Sequence, residues 1–326
     1  MERDFIKKSE DESQDVIAIK RPTQEKSSQI WVVGSGKGGV GKTFVTTSLA
    51  ICLSKMGHSV TIIDLDLSGA NIHTAFGMPP ATHSIRHFFE GSKNISELVI
   101  LTEIPRVSYI QGIWDAWTPT DISVEQIHQL VPEMRKLNSD FVLIDLGAGA
   151  LASHLELMKI ADEKILLSSP EPTSIEKTYR FIESFVCYSL KEYSVPEAYA
   201  HMVQTLRQNR NGFGEKNFSF RNYLKQSSGI QPDYFETLMA KPLRLLVNSC
   251  RSQANSELGY SMKSVCYKYY DFKVDFLGAI DFDNAVWQSI HNREPVLIAQ
   301  PFTHLAGQFL TTCKQLIDPK ELHAVI

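Results

Sequence analysis

The sequence is poor in cysteine, and the few cysteines it has are far apart. The chain of 326 residues contains no Cys-x-x-Cys pair and no cysteine spacing typical of a zinc site. Zinc ribbons and disulfide frameworks are thereby excluded, and reduced thiols in a cytosol are expected. The five cysteines are Cys52, Cys187, Cys250, Cys266 and Cys313.

Long apolar runs and a strong charge imbalance are also missing. No stretch approaches the roughly 18 apolar residues that a spanning helix needs, and the first residues are charged rather than apolar. We therefore expect a cytoplasmic protein that is neither exported nor integral to a membrane. Because the formal net charge is −4, bulk electrostatics do not favour nucleic acid as a partner, and any such surface would be local.

Short apolar runs alternate with helix-length segments after a mixed-charge amino terminus. Residues 1–28 have too few apolar side chains to offset the entropy of ordering, which predicts a disordered tail before a single domain over residues 29–326. Continuous apolar strands alternating with helices predict an α/β fold, a doubly wound, mainly parallel sheet with helices on both faces. Functional residues should follow the strands, at their carboxyl ends. The runs are Ile30–Val33, Val60–Asp64, Phe141–Asp145, Ile165–Ser168, Arg244–Asn248 and Val274–Leu277.

An insertion interrupts this alternation at about residues 191–243. Its length far exceeds the roughly two to six residues of an ordinary αβ connection. Aromatic and basic side chains interleave in it, so it could contact a protein partner or single-stranded nucleic acid. The alternative is a helical flap whose aromatics pack on their own domain. The side chains are Arg207, Arg210, Lys216, Phe218, Phe220, Arg221, Tyr223 and Lys225.

A glycine-rich segment after the first strand matches the phosphate-binding loop G-x-x-x-x-G-K-[ST]. Glycines let the backbone fold tightly with its N–H groups pointing inward, and the following helix presents its positive end to an anion. Lys42 is expected to bind the β- and γ-phosphates, and the Thr43 hydroxyl to bind magnesium. The loop consists of Gly36, Lys37, Gly38, Gly39, Val40, Gly41, Lys42 and Thr43.

The second lysine of this loop, Lys37, makes it resemble the deviant Walker A motif of the MinD/ParA family, written K-G-G-x-G-K-T. The resemblance covers about residues 29–317 apart from the insertion. It implies a SIMIBI-type P-loop ATPase that binds ATP and Mg²⁺ and forms an ATP-bound homodimer. In that dimer Lys37 would reach the partner's nucleotide and stabilise charge between its phosphates, as an arginine finger does.

Acidic residues after two other strands complete the expected site. Asp64 and Asp66 follow the second strand and resemble the family's switch I. By that resemblance Asp66 orients the attacking water, directly or through the magnesium shell, and Asp64 supports the metal's surroundings. Taken alone, two aspartates after a strand are more often a helix cap and a solvated neighbour, but the phosphate loop beside them favours the functional interpretation. Asp145 ends an apolar strand as a Walker B carboxylate does and should hold the water shell of the magnesium ion, while Gly147 and Gly149 permit a mobile switch II.

Two further residues resemble positions of the MinD-like branch that includes the flagellar-number regulators FlhG and FleN. Glu171 lies in a P-E-P-T-S segment and either contacts nucleotide across the dimer or simply starts a helix. Asn248 follows a strand where the family's asparagine reads the adenine edge. A helix near residues 303–317 carries an apolar stripe, which either packs on the core or contacts a membrane surface. The stripe consists of Leu305, Phe309, Leu310, Cys313, Leu316 and Ile317.

The resemblance implies an ATP-driven switch whose homodimer recruits an unidentified protein partner or activator and positions a cellular structure, such as a flagellum or a division site. Three alternatives stay open. An Mrp-type iron–sulfur carrier would need a bridging cysteine pair, which this chain lacks as a Cys-x-x-Cys motif. A small-molecule ligase of the same superfamily would form a product with its substrate. A ParA-type DNA-segregation ATPase would need a basic surface for duplex DNA.

Overall fold

The computed structural model describes residues 27–66, 69–113, 122–210, 220–229, 238, 240–270 and 272–318. Most of the predicted tail, residues 1–26, lies outside this part of the chain, and so do residues 67 and 68 of the predicted switch I. Ser28 is buried, and its hydroxyl donates to the carbonyl oxygens of Leu137 and Ser139, 2.8 Å away in each case. Packing against the domain therefore begins at least one residue before Gln29.

The described residues build one eight-stranded sheet in the order β3-β4-β2-β5-β1-β6-β7-β8. Every neighbouring pair is parallel except β3 with β4. This confirms the predicted α/β class. The strands are β1 (Gln29–Ser35), β2 (Val60–Leu65), β3 (Val99–Leu101), β4 (Val107–Ile110), β5 (Phe141–Ala148), β6 (Glu163–Ser168), β7 (Leu243–Cys250) and β8 (Val274–Asp281).

Helices cover both faces of the sheet. They are α1 (Lys42–Lys55), α2 (Ile72–Ala75), α3 (Ile85–Phe89), α4 (Val124–Arg135), α5 (Ala152–Ile160), α6 (Pro172–Lys191), α7 (Pro196–Arg210), α8 (Phe220–Gln226), α9 (Gln253–Tyr270), α10 (Asn284–Asn292), α11 (Val296–Ala299) and α12 (His304–Ile317), with a 3₁₀ turn at Ile95–Leu98.

Alternate residues of each central strand enter different cores, which explains why the strands are apolar throughout. In β1, Ile30 and Val32 pack with α4, α5 and α6, whereas Trp31 and Val33 pack with α1 and α12. A strand covered on both faces cannot show polar alternation. The apolar runs in the sequence therefore located the strands, although most observed strands extend a few residues beyond the runs and the edge pair β3–β4 was not predicted.

The insertion contains α7 and α8, and its described part packs on its own domain. Phe220 is fully buried and Leu224 is 1 % exposed, in the core that α5 and α6 also enter. The hydroxyl of Tyr223 lies 2.8 Å from Nδ1 of His201 on α7. These contacts favour the helical flap over a free partner surface for this part, while residues 211–219, 230–237 and 239, with Lys216 and Phe218, lie outside the described residues.

The final helix, α12, uses most of its apolar stripe for core packing. Leu305, Phe309, Cys313 and Leu316 are at most 3 % exposed, while Leu310 and Ile317 are only partly covered. The ring of Phe309 packs edge-on against Phe44 at 5.4 Å between ring centroids. Among the residues that the structure describes, no helix has both the length and the apolar character needed to cross a bilayer.

Candidate functional site

The glycine-rich loop connects β1 to α1 at the carboxyl edge of the sheet. Gly39 and Gly41 adopt positive φ angles of 78° and 93°, which glycine reaches without steric cost. Gly41 is the N-cap of α1, and no side chain caps this end of the helix and no acid lies in its first turn. The first N–H groups of α1 are therefore directed at the loop with no side-chain cap and no acid of the helix's own first turn beside them, as an anion site requires.

Two glycines of the loop are fixed by distant parts of the chain. A Cβ atom on Gly36 would lie 2.2 Å from the backbone oxygen of Lys177 in α6, and one on Gly41 would lie 2.4 Å from Nδ2 of Asn248. Real Cβ contacts are essentially never that short, so both positions require glycine. By contrast, a Cβ on Gly39 would have no neighbour within 4 Å. The outer part of the loop is thus open while its two ends are tightly packed.

The hydroxyl of Thr43 meets the predicted Walker B carboxylate. Thr43 Oγ1 donates to Asp145 Oδ2 at 2.6 Å, and Thr46 Oγ1, one turn further along α1, lies 3.3 Å from Asp145 Oδ1. The neighbouring Lys42 is only 7 % exposed, and its charge stabilises the Asp145 carboxylate. The structure therefore brings together the lysine, threonine and aspartate that the sequence assigned to one phosphate and metal site.

Two buried carboxyl groups lie side by side behind this site. Asp64 and Asp145 are fully buried register partners on the neighbouring strands β2 and β5. Desolvation raises the pKa of Asp64 to about 8, and the charge of Asp145 adds to this rise. Desolvation also raises the pKa of Asp145 to about 6, opposed by its hydrogen bond from Thr43 and by Lys42. A cation placed beside the pair would relieve the cost of ionising both acids.

These groups fit magnesium held partly by a nucleotide. Mg²⁺ in nucleotide sites keeps several waters and takes only one or two protein ligands besides phosphate oxygens. The hydroxyl of Thr43 and the carboxylate of Asp145 supply that donor set, and both are oxygen donors. Within the described residues, no group of three or more His, Cys, Asp or Glu side chains could hold a metal alone, which agrees with a site completed by phosphate.

Asp64 and Asp66 have different surroundings. Asp64 Oδ2 accepts from the backbone N–H groups of Asn71 and Ile72 at 2.9 and 3.2 Å, so this carboxylate shapes the loop between β2 and α2. Asp66 lies just beyond the end of β2, and its Oδ1 would be 3.4 Å from a Cβ built on Gly147 of the predicted switch II. The structure thus places Asp66, the predicted water-orienting residue, against switch II.

Lys37 projects from the open part of the loop and is held in the same chain. Its Nζ forms an ion pair with the carboxylate of Glu171, with the two side chains 29 % and 61 % exposed. Glu171 is also the N-cap residue of α6, which agrees with the predicted helix start. The two residues that the sequence assigned to contacts across a dimer therefore pair with each other in the single chain.

Asn248 braces the phosphate loop and also faces a pocket beside it. Its Nδ2 donates to the backbone oxygen of Val40 at 2.8 Å, and the side chain is almost completely buried. The pocket has a volume of about 200 Å³ and lies between the loop, the end of β7 and α10. Phe44, Phe282 and Trp287 supply its aromatic walls. Asp281 and Asp283 also line it, so the adenine-reading role of Asn248 stays a prediction.

Comparison with known families agrees with this geometry. The family model described as "ParA: NUBPL iron-transfer P-loop NTPase" matches residues 26–220, which is more than half of the 326 residues. The chain belongs to the ParA family of P-loop NTPases. The match contains the phosphate loop, Asp64, Asp66, Asp145 and Glu171, and ends before Asn248.

Curated relatives of this ParA-family chain include a flagellum site-determining protein and an antiactivator. It is 32 % identical over 154 residues to the flagellum site-determining protein YlxH of Helicobacter pylori, covering 46 % of this chain and 51 % of that protein. It is 30 % identical over 162 residues to the antiactivator FleN of Pseudomonas aeruginosa, covering 48 % of this chain and 55 % of that protein. The chain thus spans about half the length of the curated relatives it matches.

Solved structures show the same fold over nearly the whole ParA-family chain. The septum site-determining protein MinD of Pyrococcus horikoshii, solved with Mg-ADP, superposes with a TM-score of 0.59 at 21 % identity. That match covers 92 % of this chain and all of the MinD chain. A ParA-family ATPase from Chlorobium tepidum superposes with a TM-score of 0.57 at 14 % identity, covering 90 % of this chain and all of its own. These likenesses establish the fold.

Sequence reasoning missed three contributors to this ParA-family site. Thr46 shares Asp145 with Thr43, and the three-residue spacing on a helix could have indicated it. The hydroxyl of Ser35 donates to the backbone oxygen of Lys37 at 2.8 Å and stiffens the loop. Lys177 packs its carbonyl on Gly36 from far along the chain, and no local pattern marks that contact.

Proposed function

We propose that this chain is a Mg²⁺-dependent ATPase that switches between a monomer and an ATP-bound homodimer, and that the dimer positions a cellular structure. The observation that carries the proposal is the contact of Asp145 with Thr43 and with the charge of Lys42, at the start of a helix that follows the glycine-rich loop and has no side-chain cap. That arrangement supports nucleotide binding. The spatial role is supported by the likeness to the flagellum site-determining protein and the antiactivator.

Each residue of the site has a distinct task in this proposal. The loop N–H groups and Lys42 would bind the β- and γ-phosphates. Thr43 and Asp145 would hold magnesium, which would neutralise phosphate charge. Asp66 orients the attacking water. The water attacks the γ-phosphorus, the bond to the β–γ bridging oxygen breaks, and ADP and inorganic phosphate leave with the proton on phosphate.

In this proposal Lys37 couples ATP hydrolysis to dimerisation. It stands on the open side of the loop, is partly exposed, and is separate from the buried Lys42. A cation in that place can serve a nucleotide in a facing subunit, where it would stabilise charge that develops in the transition state. Dimerisation would then be a condition for hydrolysis, and hydrolysis would return the protein to the monomer.

Iron–sulfur carriage is the second candidate, because the matching family model is described as iron-transfer. A carrier would bind its cluster through thiolates. In this chain, burial raises the pKa of Cys187 and Cys266 to about 12 and that of Cys250 to about 11, which favours the neutral thiols. Anaerobic reconstitution with iron and sulfide tests this function. A visible cluster bound in stoichiometric amount would favour it over the spatial switch.

The test of the proposed switch uses Lys37→Ala in an Asp66→Ala background. Asp66→Ala should bind ATP and accumulate dimer without hydrolysis, since water positioning acts in the transition state rather than in the ground state. Adding Lys37→Ala should leave ATP affinity within about threefold of that of Asp66→Ala, because Lys42 and the loop stay intact, but abolish the ATP-dependent dimer. Calorimetry measures the affinity and light scattering measures the mass.

Lys136→Ala in the same background is the control, because Lys136 is an exposed lysine on the C-cap of α4. It should change neither measurement. If the double variant with Lys37→Ala dimerises as fully as Asp66→Ala alone, Lys37 has no role between subunits. If Asp66→Ala hydrolyses ATP at the parental rate, Asp66 has no role in catalysis.

A further inference from the structure

A histidine outside the predicted motifs lies inside the candidate site. His154 is in the first turn of α5, directly after the predicted switch II, and only 7 % of its surface is exposed. A buried histidine often serves as a packed core residue, as His73 does when its Nδ1 meets Nε2 of Gln111 at 3.3 Å. His154 differs because both of its polar edges face residues of the candidate site.

The Nδ1 edge of His154 holds the backbone of switch II. Nδ1 lies 2.8 Å from the backbone oxygen of Gly149, and since a carbonyl only accepts, Nδ1 carries the proton. Gly149 has a φ of 93°, and its N–H donates to the backbone oxygen of Ser35 at 2.9 Å. The Ser35 hydroxyl in turn donates to the backbone oxygen of Lys37. A continuous series of hydrogen bonds therefore joins His154 to the phosphate loop.

The opposite edge of the ring flanks Gly147 together with Asp66. A Cβ atom built on Gly147 would lie 3.3 Å from Cε1 and 3.5 Å from Nε2 of His154, and 3.4 Å from Oδ1 of Asp66. The imidazole edge and the carboxylate oxygen therefore occupy the same small space above one glycine.

We propose that His154 is a positioning residue for ATP hydrolysis, which fixes switch II through Nδ1 and, with its Nε2–Cε1 edge, packs beside Gly147 at the place where Asp66 also lies. The inference rests on the proposed ATPase function and adds a residue to it. A carboxylate that orients water must be held closely, since a displacement of about 1 Å can cost about 100-fold in rate. Asp66 lies in a loop just beyond β2, so it depends on its neighbours for that placement.

The decisive variant is His154→Asn, because an asparagine amide can take the place of Nδ1 and still donate to Gly149. Asparagine has no atoms in the place of the Nε2–Cε1 edge, which lies beside Gly147 together with Asp66. We expect its ATP affinity, its KM and its ATP-dependent dimer to stay within about twofold of the parent, while kcat falls about 10- to 100-fold.

The matched control is His128→Asn. His128 lies on α4, and its Nε2 is 2.8 Å from Oε1 of Glu156 on α5, the helix that also carries His154. This variant should alter none of these values. A second readout is the affinity for ADP with aluminium fluoride, which mimics the phosphoryl group in transfer and needs no turnover. His154→Asn should weaken that affinity about 10-fold or more and leave the affinity for ADP alone unchanged.

The outcomes separate the inference from the proposed function. If the parent protein fails to bind ATP, the proposed function and the inference built on it both fall. If the parent binds ATP and ADP–aluminium fluoride and His154→Asn matches it in both, only the role of His154 is wrong. If His154→Asn does not fold, His154→Gln, which keeps an amide near the Nε2 position, replaces it. His154→Gln should then retain more of the parental kcat than His154→Ala does. Equal losses of kcat in these two variants would reject the positioning role of His154.

Discussion

The two lysines of the phosphate loop have opposite surroundings. Lys42 begins α1, is almost fully buried and faces Asp145, whereas Lys37 is partly exposed and paired with Glu171. A buried lysine beside a carboxylate cannot reach a second subunit, while a partly exposed one on a surface loop can. The chemistry in one chain and the link between two chains are thus assigned to different residues.

Replacing Lys42 tests the first of these assignments. Lys42→Ala should lower ATP affinity at least about 100-fold, because the β- and γ-phosphates lose charge-assisted hydrogen bonds from the buried lysine of the loop. Isothermal titration calorimetry measures the loss, with Lys136→Ala as the control for a lysine removed elsewhere. Parental affinity in Lys42→Ala would show that the loop does not bind phosphate in the way proposed.

The raised pKa of Asp64 predicts how stability depends on pH. Between its ordinary value near 4 and about 8, the folded protein holds a proton that the unfolded chain has released. The free energy of unfolding of the nucleotide-free protein should therefore fall as pH rises through this window. Asp64→Asn removes the titration, so the variant should lose less stability than the parent between about pH 5 and pH 8.

Urea unfolding without magnesium or nucleotide, repeated across this pH range, measures the effect. Glu133→Gln is the control, since Glu133 forms a surface pair with Lys136 on the side of the molecule away from the site. Parallel stability curves for the parent and Asp64→Asn would contradict the prediction. Magnesium and ATP should flatten the parental curve, because a bound cation favours ionised carboxyl groups.

The helices of the insertion behave as part of the domain in their described portion. Phe220 begins α8 and is fully buried in the core that α6 also enters, and its ring stacks with Tyr223 at 6.3 Å between ring centroids. An element that buries a phenylalanine in this way is anchored rather than loosely attached. The described part of the insertion, with α8, therefore extends the core that α6 also enters.

Replacing the buried Phe220 with alanine should destabilise the folded protein. Phe220→Ala should lower the free energy of unfolding by about 3–5 kcal/mol, the usual range for a buried phenylalanine. Phe302→Ala is the matched control, because Phe302 is 99 % exposed and its loss should cost less than about 0.5 kcal/mol. Chemical denaturation measures both. A loss of less than about 1 kcal/mol in Phe220→Ala would mean that α8 is only loosely packed.

In the proposed switch, assembly of two molecules would depend on an ion pair within one of them. In the single chain, Glu171 at the start of α6 holds Lys37 of the phosphate loop, although the proposed dimer needs Lys37 at the partner's nucleotide. The ion pair must open before the dimer forms. The monomer is therefore favoured by one surface ion pair, an interaction that is weak and sensitive to salt.

Glu171→Gln should make the dimer easier to form. The Kd of the ATP-dependent dimer, measured by light scattering in the Asp66→Ala background, should fall by up to about fivefold at low salt, and the gain should shrink as salt is added. Glu176→Gln, which breaks the exposed pair with Arg180 on the same helix, should have no effect. A weaker dimer in Glu171→Gln would mean that Glu171 serves the assembled state, as the alternative drawn from the sequence has it.

The local parts of the site were determined by the sequence itself. The phosphate loop is one continuous segment, and strand, loop and helix follow each other within a few residues, so its position could be read from the sequence, although Lys177 and Asn248 pack on its two ends. Asp66 and Asp145 could also be assigned, because the carboxyl ends of parallel strands meet at one edge of the sheet. The fold class followed from apolar runs that reflect strands buried on both faces.

Only the tertiary structure decided how these segments meet. Lys37 and Glu171 are 134 positions apart, and Asn248 and Val40 are 208 apart, so no spacing in the sequence implies either contact. The structure makes them because β1 lies between β5 and β6, which brings the phosphate loop under switch II on one side and α6 on the other. His154 was missed for the same reason, since a histidine gains its role from the groups that packing places on each edge of its ring.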